Sequence, residues 1–288
     1  GDEPTVSSLH QRVASLNLPA SWNAFDITAI LPVGGKDLTW ATPSHPPGQL
    51  HNAFEDVPGA RQLSETVDAF LSRLPPATTD AHVSGLPWLW IANPRVPSEP
   101  EPNDGLFTRE GTERLRRFTD FMMTTKEKHA AEKSTTQYNR AISKERTSVV
   151  ADLCDLAAAY GVVCGKWMLF PEPGAVNRVW EVVAHATANG ELGTVSKVAT
   201  RSAADPGGER LVCVYTKDFR DKQDVARVLS RLRQLGLASD GPKKLYYKSD
   251  AWTHLGLYNR NEWDISASTY SSKDMFKYIK DEDLKWVL

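Results

Sequence analysis

Between Cys164 and Thr216 the apolar positions change their period from one segment to the next. CGKWMLFP (164–171) is a continuous apolar and aromatic run closed by Pro171 and Pro173. Proline has no N–H to give to a ladder, so the run predicts a strand with a fixed end. From Val176 the apolar residues fall at Val176, Val179, Trp180, Val183 and Ala184, the spacing of one stripe on a helix. GTVSKVATR (193–201) and ERLVCVYT (209–216) then read as two β-branched strands around Asp205-Pro206-Gly207-Gly208, where glycine takes positive φ without steric cost. The stripe on the helix needs a sheet face to bury it, and the hairpin supplies one.

The flanking segments extend this pattern. Val6, Leu9, Val13 and Leu16 predict a short helix near 4–18, and Leu63, Val67, Phe70 and Leu74 predict a second one that ends at Pro75-Pro76. GLPWLWIANP (85–94) reads as a strand with Trp88 and Trp90 on one face and Leu89 and Ile91 on the other. VPSEPEPNDG (96–105) is a proline-rich acidic loop, and a long helical region begins at Thr108 with a joint near Ser134. After the hairpin, Val225, Val228, Leu229, Leu232 and Leu235 mark a helix ended by Gly236. PKKLYYKSD (242–250) is a strand, 252–263 a turn-rich return, 264–272 a final strand, and the last residues a peripheral helix. The expected fold is α+β. Its predominantly antiparallel sheet uses strands near 86–92, 164–170, 194–201, 209–216, 243–248 and 264–270, with helices 174–189 and 223–235 on one face.

Charge adds a direction to this picture. The chain of 288 residues has a net charge of −2, but residues 1–105 hold 5 Lys/Arg against 12 Asp/Glu and residues 106–288 hold 29 against 24. The second part is where an anion is expected to bind. No apolar run approaches the roughly 18–20 residues that span a bilayer, and the first residues have no apolar core of a signal peptide, so no membrane partner is expected. Cys154, Cys164 and Cys213 sit in apolar periodic segments with no C-x-x-C pair, the pattern of reduced core residues in a cytoplasmic or nuclear protein.

Familiar catalytic patterns are missing. Gly161 to Lys166 has one spacer too few for a phosphate loop and Trp167 where a hydroxyl belongs, and the seven histidines show no zinc spacing. No G-x-S-x-G elbow occurs, so neither a metal nor a cofactor is expected. What remains is a set of cations and rings on the strands. Lys166, Lys197 and Lys248 each lie in or at the end of an otherwise apolar segment, where an ammonium group is costly unless it reaches water or an anion. Tyr246, Tyr247, Trp252, Tyr258 and Trp263 offer flat faces near the C-terminal strands, and Tyr247 and Trp263 are the candidates for stacking on a base.

GKWMLFP, AVNRVWEVVAHATANGELG, the TVSKVATR to LVCVYTKDF hairpin, DVARVLSRLRQLGL and LYYKSDAWTHLGLYNRNEW together resemble the family of basophilic leukemia-expressed proteins, which is similar in fold to the cap-binding translation initiation factor 4E. The resemblance covers about 164–272 and implies a curved, mainly antiparallel sheet backed by helices on one face, a 4E-like domain at 85–288 with residues 1–84 packed on it as an extension. It also implies that Lys197 lies in the strand that carries the factor's phosphate-binding cation, with Arg201 and Arg210 flanking the hairpin turn. Neither the 96–105 loop nor AYGVVCG (159–165) carries a tryptophan, so a mononucleotide or RNA end other than the classical cap is the expected ligand.

The expected function is therefore a non-enzymatic nucleotide- or RNA-end-binding protein, with Lys166, Lys197, Arg201, Arg210 and Lys248 on phosphate. One alternative is an enzyme on a phosphorylated nucleotide or RNA terminus, with Asp250 as acid or base. Another is a scaffold that binds a protein partner through its helical face.

Overall fold

The 193–216 hairpin forms as β3 (Val195–Ala199) and β4 (Val212–Thr216), antiparallel, with Val195 opposite Tyr215 and Lys197 opposite Cys213. The computed structural model describes residues 50–285 except 133–134, 203–206 and 242–243. The expected helix at 4–18, the joint near Ser134 and the turn residues Asp205-Pro206 lie outside the described residues.

Four further strands join the hairpin. They are β1 (Trp88–Ala92), β2 (Gly165–Leu169), β5 (Tyr246–Ser249) and β6 (Tyr270–Ser271), and the order across the sheet is β1-β3-β4-β2-β5-β6. The β1–β3, β3–β4, β2–β4 and β5–β6 pairs are antiparallel. The α+β class and the antiparallel sheet expected from the sequence are both present.

Among the described residues the chain divides into two compact units, a sheet unit of 50–99, 165–247 and 270–285 and a helical unit of 100–164 and 248–269. In the sheet unit, α1 (Val67–Arg73) and the four-residue α2 (Ala81–Ser84) precede β1. The expected central helices are α5 (Val176–Ala188) and α6 (Lys222–Gln234), and α8 (Ser272–Lys285) closes the described chain.

One face of the sheet belongs to these helices. Leu89, Ile91, Ser196, Val198, Val212, Val214, Trp167 and Leu169 are each at most 1% exposed. They are the alternate residues of β1, β3, β4 and β2, which strand geometry sends to a common side. The Ser196 hydroxyl lies 2.8 Å from Thr187 Oγ1 on α5, and Trp167 Nε1 donates to Val225 O on α6 at 3.1 Å. Trp180 on the α5 stripe is fully buried and meets Phe70 of α1 edge-on at 6.5 Å.

The helical unit is built on α3 (Asp104–Glu132) and α4 (Thr135–Ala159). Phe107, Leu115 and Phe118 of α3 and Ile142, Val149, Leu153 and Ala157 of α4 are buried. Arg114 clamps the pair by reaching Asp152 at 2.7 Å and Glu145 at 2.9 Å. The short α7 (Asp250–His254) continues the chain from β5, and Leu255 after it lies where a side chain on Gly111 of α3 would collide, 2.7 Å from the added Cβ.

Three boundaries differ from the sequence expectation, each for a local reason. First, α3 begins at Asp104 rather than Thr108, because Asn103 caps it with its side-chain oxygen accepting from Leu106 N–H at 3.1 Å. Secondly, the 252–263 return contains part of α7, capped by Ser249. Thirdly, the expected strand at 264–270 is reduced to Tyr270–Ser271: Asn261 folds 258–265 into a turn by donating to the Tyr258 and Ile265 carbonyls, and Asp264 takes φ 52°. Those bonds replace a ladder.

Candidate functional site

On the sheet face turned away from α5 and α6, the alternate residues are of another kind. The β1–β3 register sets Trp90 opposite Lys197 and Trp88 opposite Ala199, and β2 sets Lys166 opposite Tyr215. The Lys197 ammonium lies 4.3 Å from the Trp88 ring centroid, 4.7 Å from Trp90 and 5.6 Å from Tyr215. Lys166 Nζ lies 5.3 Å from the same Tyr215 ring. Two cations thus flank one tyrosine, and two tryptophans enclose one of those cations. Attraction of an ammonium group to an aromatic face helps to hold it in place. The sequence leaves the register of 194–201 open to a slip of one residue. The contact of Ser196 of β3 with Thr187 on α5 shows which side faces the helices, so Lys197 points to the opposite one.

Phe54 adds a ring from outside the sheet, stacked on Trp90 with centroids 4.8 Å apart and planes 23° apart. It stands on a tight loop before the segment that lines the β1 edge. There Trp90 N–H donates to Gly59 O at 2.9 Å and Arg61 N–H donates to Trp90 O at 3.0 Å. Gly59 is needed for this approach, since a Cβ would lie 2.8 Å from Trp88 O. Arg73 braces the same segment by donating to Pro58 O and Ala60 O and to both oxygens of Glu65. The bidentate bond to Arg73 holds the Glu65 carboxyl below its ordinary range.

The other expected cations have different settings. Arg201 sits at the end of β3, where its N–H donates to Thr79 O and its guanidinium pairs with Asp80 at 3.3 Å; about half of its side chain is exposed. Arg210 is 4% exposed, donates its backbone N–H to Pro171 O and turns Nη1 onto Gly208 O, so it braces the hairpin from inside. Lys248 belongs to the helical unit, 3% exposed, with its ammonium 3.9 Å from the Tyr258 ring centroid.

The expected stacking residues are placed away from solvent or held by neighbours. Tyr247 is fully buried on the helix-covered side of β5, its ring 5.3 Å from Trp167 and its hydroxyl 2.6 Å from Thr216 Oγ1. It is a core residue, because Gly165 opposite leaves a space that its ring fills, with Cε1 2.7 Å from where a Cβ would stand. Trp263, in the helical unit, is half-buried and donates Nε1 to Thr119 Oγ1 at 2.9 Å, while its carbonyl accepts from Arg146. Asp250 opens α7, donates its N–H to Cys164 O at 2.9 Å and accepts from the Cys164 thiol at 3.4 Å.

Sequence reasoning missed the rings around Lys197. Trp88 and Trp90 were legible as one face of PWLWIANP, but only the register shows that this face is the one Lys197 shares. Tyr215 follows from its place opposite Lys166, and nothing in the sequence signals Phe54. Among the described residues there is no cluster of three His, Cys, Asp or Glu side chains able to hold a metal ion, and no helix long and apolar enough to cross a membrane. The family model for basophilic leukemia-expressed protein Bles03 matches residues 9–256, a span that contains Phe54, both tryptophans, Lys166, Lys197 and Tyr215, and the chain belongs to that family.

Proposed function

We propose that this protein binds nucleotides or RNA ends without catalysing a reaction on them, through the face turned away from α5 and α6 of a sheet of the initiation factor 4E kind. The observation that carries the reading is the cluster of Lys166, Lys197, Trp88, Trp90 and Tyr215 on one sheet face. Both ammonium groups face the Tyr215 ring, and a phosphate group brought to this ring would be attracted by the two charges together. The neighbouring rings give a base a stacking surface, worth roughly 1–3 kcal/mol per base.

The test is a titration of the protein with ATP, GTP, CTP, UTP and a short 5′-triphosphorylated RNA at rising salt. Binding is expected to weaken as salt rises, and the double variant K166A/K197A should bind less tightly with a shallower salt dependence. The absence of binding to every probe, or equal binding by the double variant, would overturn the reading.

A further inference from the structure

We infer that Phe54 is an internal occupant of the stacking position on Trp90, so that a base reaches this indole only when Phe54 leaves it; the inference rests on the nucleotide-binding reading above. The ring lies in the near-parallel arrangement that a stacked base would adopt, 4.8 Å from Trp90 at 23°. That separation and tilt are those of an offset aromatic stack.

The loop that carries Phe54 is tied on both sides of the phenylalanine: His51 N–H donates to Pro94 O before it, and Gly59 and Arg61 bond to Trp90 after it. Phe54 itself is held by the Asn52 side chain, which accepts from its N–H at 3.0 Å, and its carbonyl accepts from Val57 N–H at 3.1 Å and from Gln62 at 3.4 Å. Its ring is half-buried, so its departure exposes far less apolar surface than the loss of a core phenylalanine would. Two residues on, Asp56 takes φ 64°, a left-handed conformation that aspartate adopts more readily than most residues and that turns the chain back toward Gly59. Phe54 can therefore leave Trp90 by a change of its own side-chain rotamer, with both ties kept.

Lys197 reaches Trp88 and Tyr215 as well as Trp90, so the cation site remains when Phe54 moves. Base and phosphate recognition are thereby separated. A ligand with a base competes with Phe54, whereas one with phosphate alone does not.

The experiment compares the full chain with F54A and F54L, using GTP and ATP as probes with a base and inorganic tripolyphosphate as the probe without one. Trp90 freed of its cover should raise nucleotide affinity about three- to tenfold in F54A, the worth of one aromatic pair, and leave tripolyphosphate affinity unchanged. F54L, which keeps apolar contact but no flat ring, should fall between the two proteins. Nucleotide affinity that is equal or lower in F54A would overturn the inference, because Phe54 would then be indifferent or a supporting wall. An equal gain for tripolyphosphate would overturn it too, since the effect would not concern the base. If neither protein binds any probe, the nucleotide-binding reading itself fails, a result distinct from the other two.

Discussion

Lys197 stands directly across the β1–β3 ladder from Trp90, with its ammonium group 4.7 Å from the centre of that ring and closer still to Trp88. The stem of the lysine is therefore packed and its charge is held in place. Lys197→Met keeps the stem and removes the charge. The expected result is a change in stability of about 1 kcal/mol or less, the worth of a partly exposed cation–aromatic contact, measured by urea denaturation. Nucleotide binding in the same variant should weaken and lose part of its salt dependence. A large loss of stability would show that the charge is structural.

Trp180 tests the placement of the α5 stripe. It is fully buried against Phe70, and Trp180→Ala should cost roughly 3–5 kcal/mol through lost burial and the cavity left behind. Denaturant midpoints at an unchanged slope would report it.

The Tyr247 hydroxyl and Thr216 form a closed buried pair at 2.6 Å. Tyr247→Phe should cost about 1–2 kcal/mol by leaving the threonine hydroxyl without its partner. Gly165→Ala should cost about 1–3 kcal/mol by forcing the tyrosine ring out of the space it fills. Thermal unfolding of both variants, and of the double variant, checks whether the two effects share one site. Costs that simply add would contradict it.

Acid should loosen the brace on the loop of Phe54. The Glu65 carboxyl is lowered by its hydrogen bonds from Arg73, so its folded value lies below its unfolded one. Such a group stabilises the fold above the ordinary carboxylate range, and that contribution is lost as pH falls through its depressed folded value. E65Q should be less stable than the parent at neutral pH and converge with it in acid, as read from melting temperatures across pH. A constant gap would separate Glu65 from the effect.

Most of the sheet was legible because each strand had a sharp period or a hard stop, as in GKWMLFP before Pro171. The strand YYKS was harder to read. Tyr246 and Tyr247 are adjacent, so one must face the helices and the other must not, and the choice depends on the missing side chain of Gly165 on a neighbouring strand. Lys197 could be singled out from its apolar surroundings, but its companions come from a register that two strands set together. Asn103 shows a different limit. An Asn-Asp pair before a helix is a readable cap, yet the proline-rich acidic context drew the boundary four residues late.

The strip at 59–61 has a consequence for association between molecules. By satisfying Trp90 N–H and C=O, it leaves β1 without a row of open backbone groups beside Trp88 and Trp90. A fragment begun at Gly85 would bare that rim together with two indoles, the combination that templates strand addition from a neighbouring chain. Such a fragment, which also loses Phe70 from its place against Trp180, is expected to elute as oligomers and to precipitate on concentration. Residues 59–61 thus close an edge that would otherwise invite a second chain, through a glycine small enough to lie against a tryptophan's carbonyl.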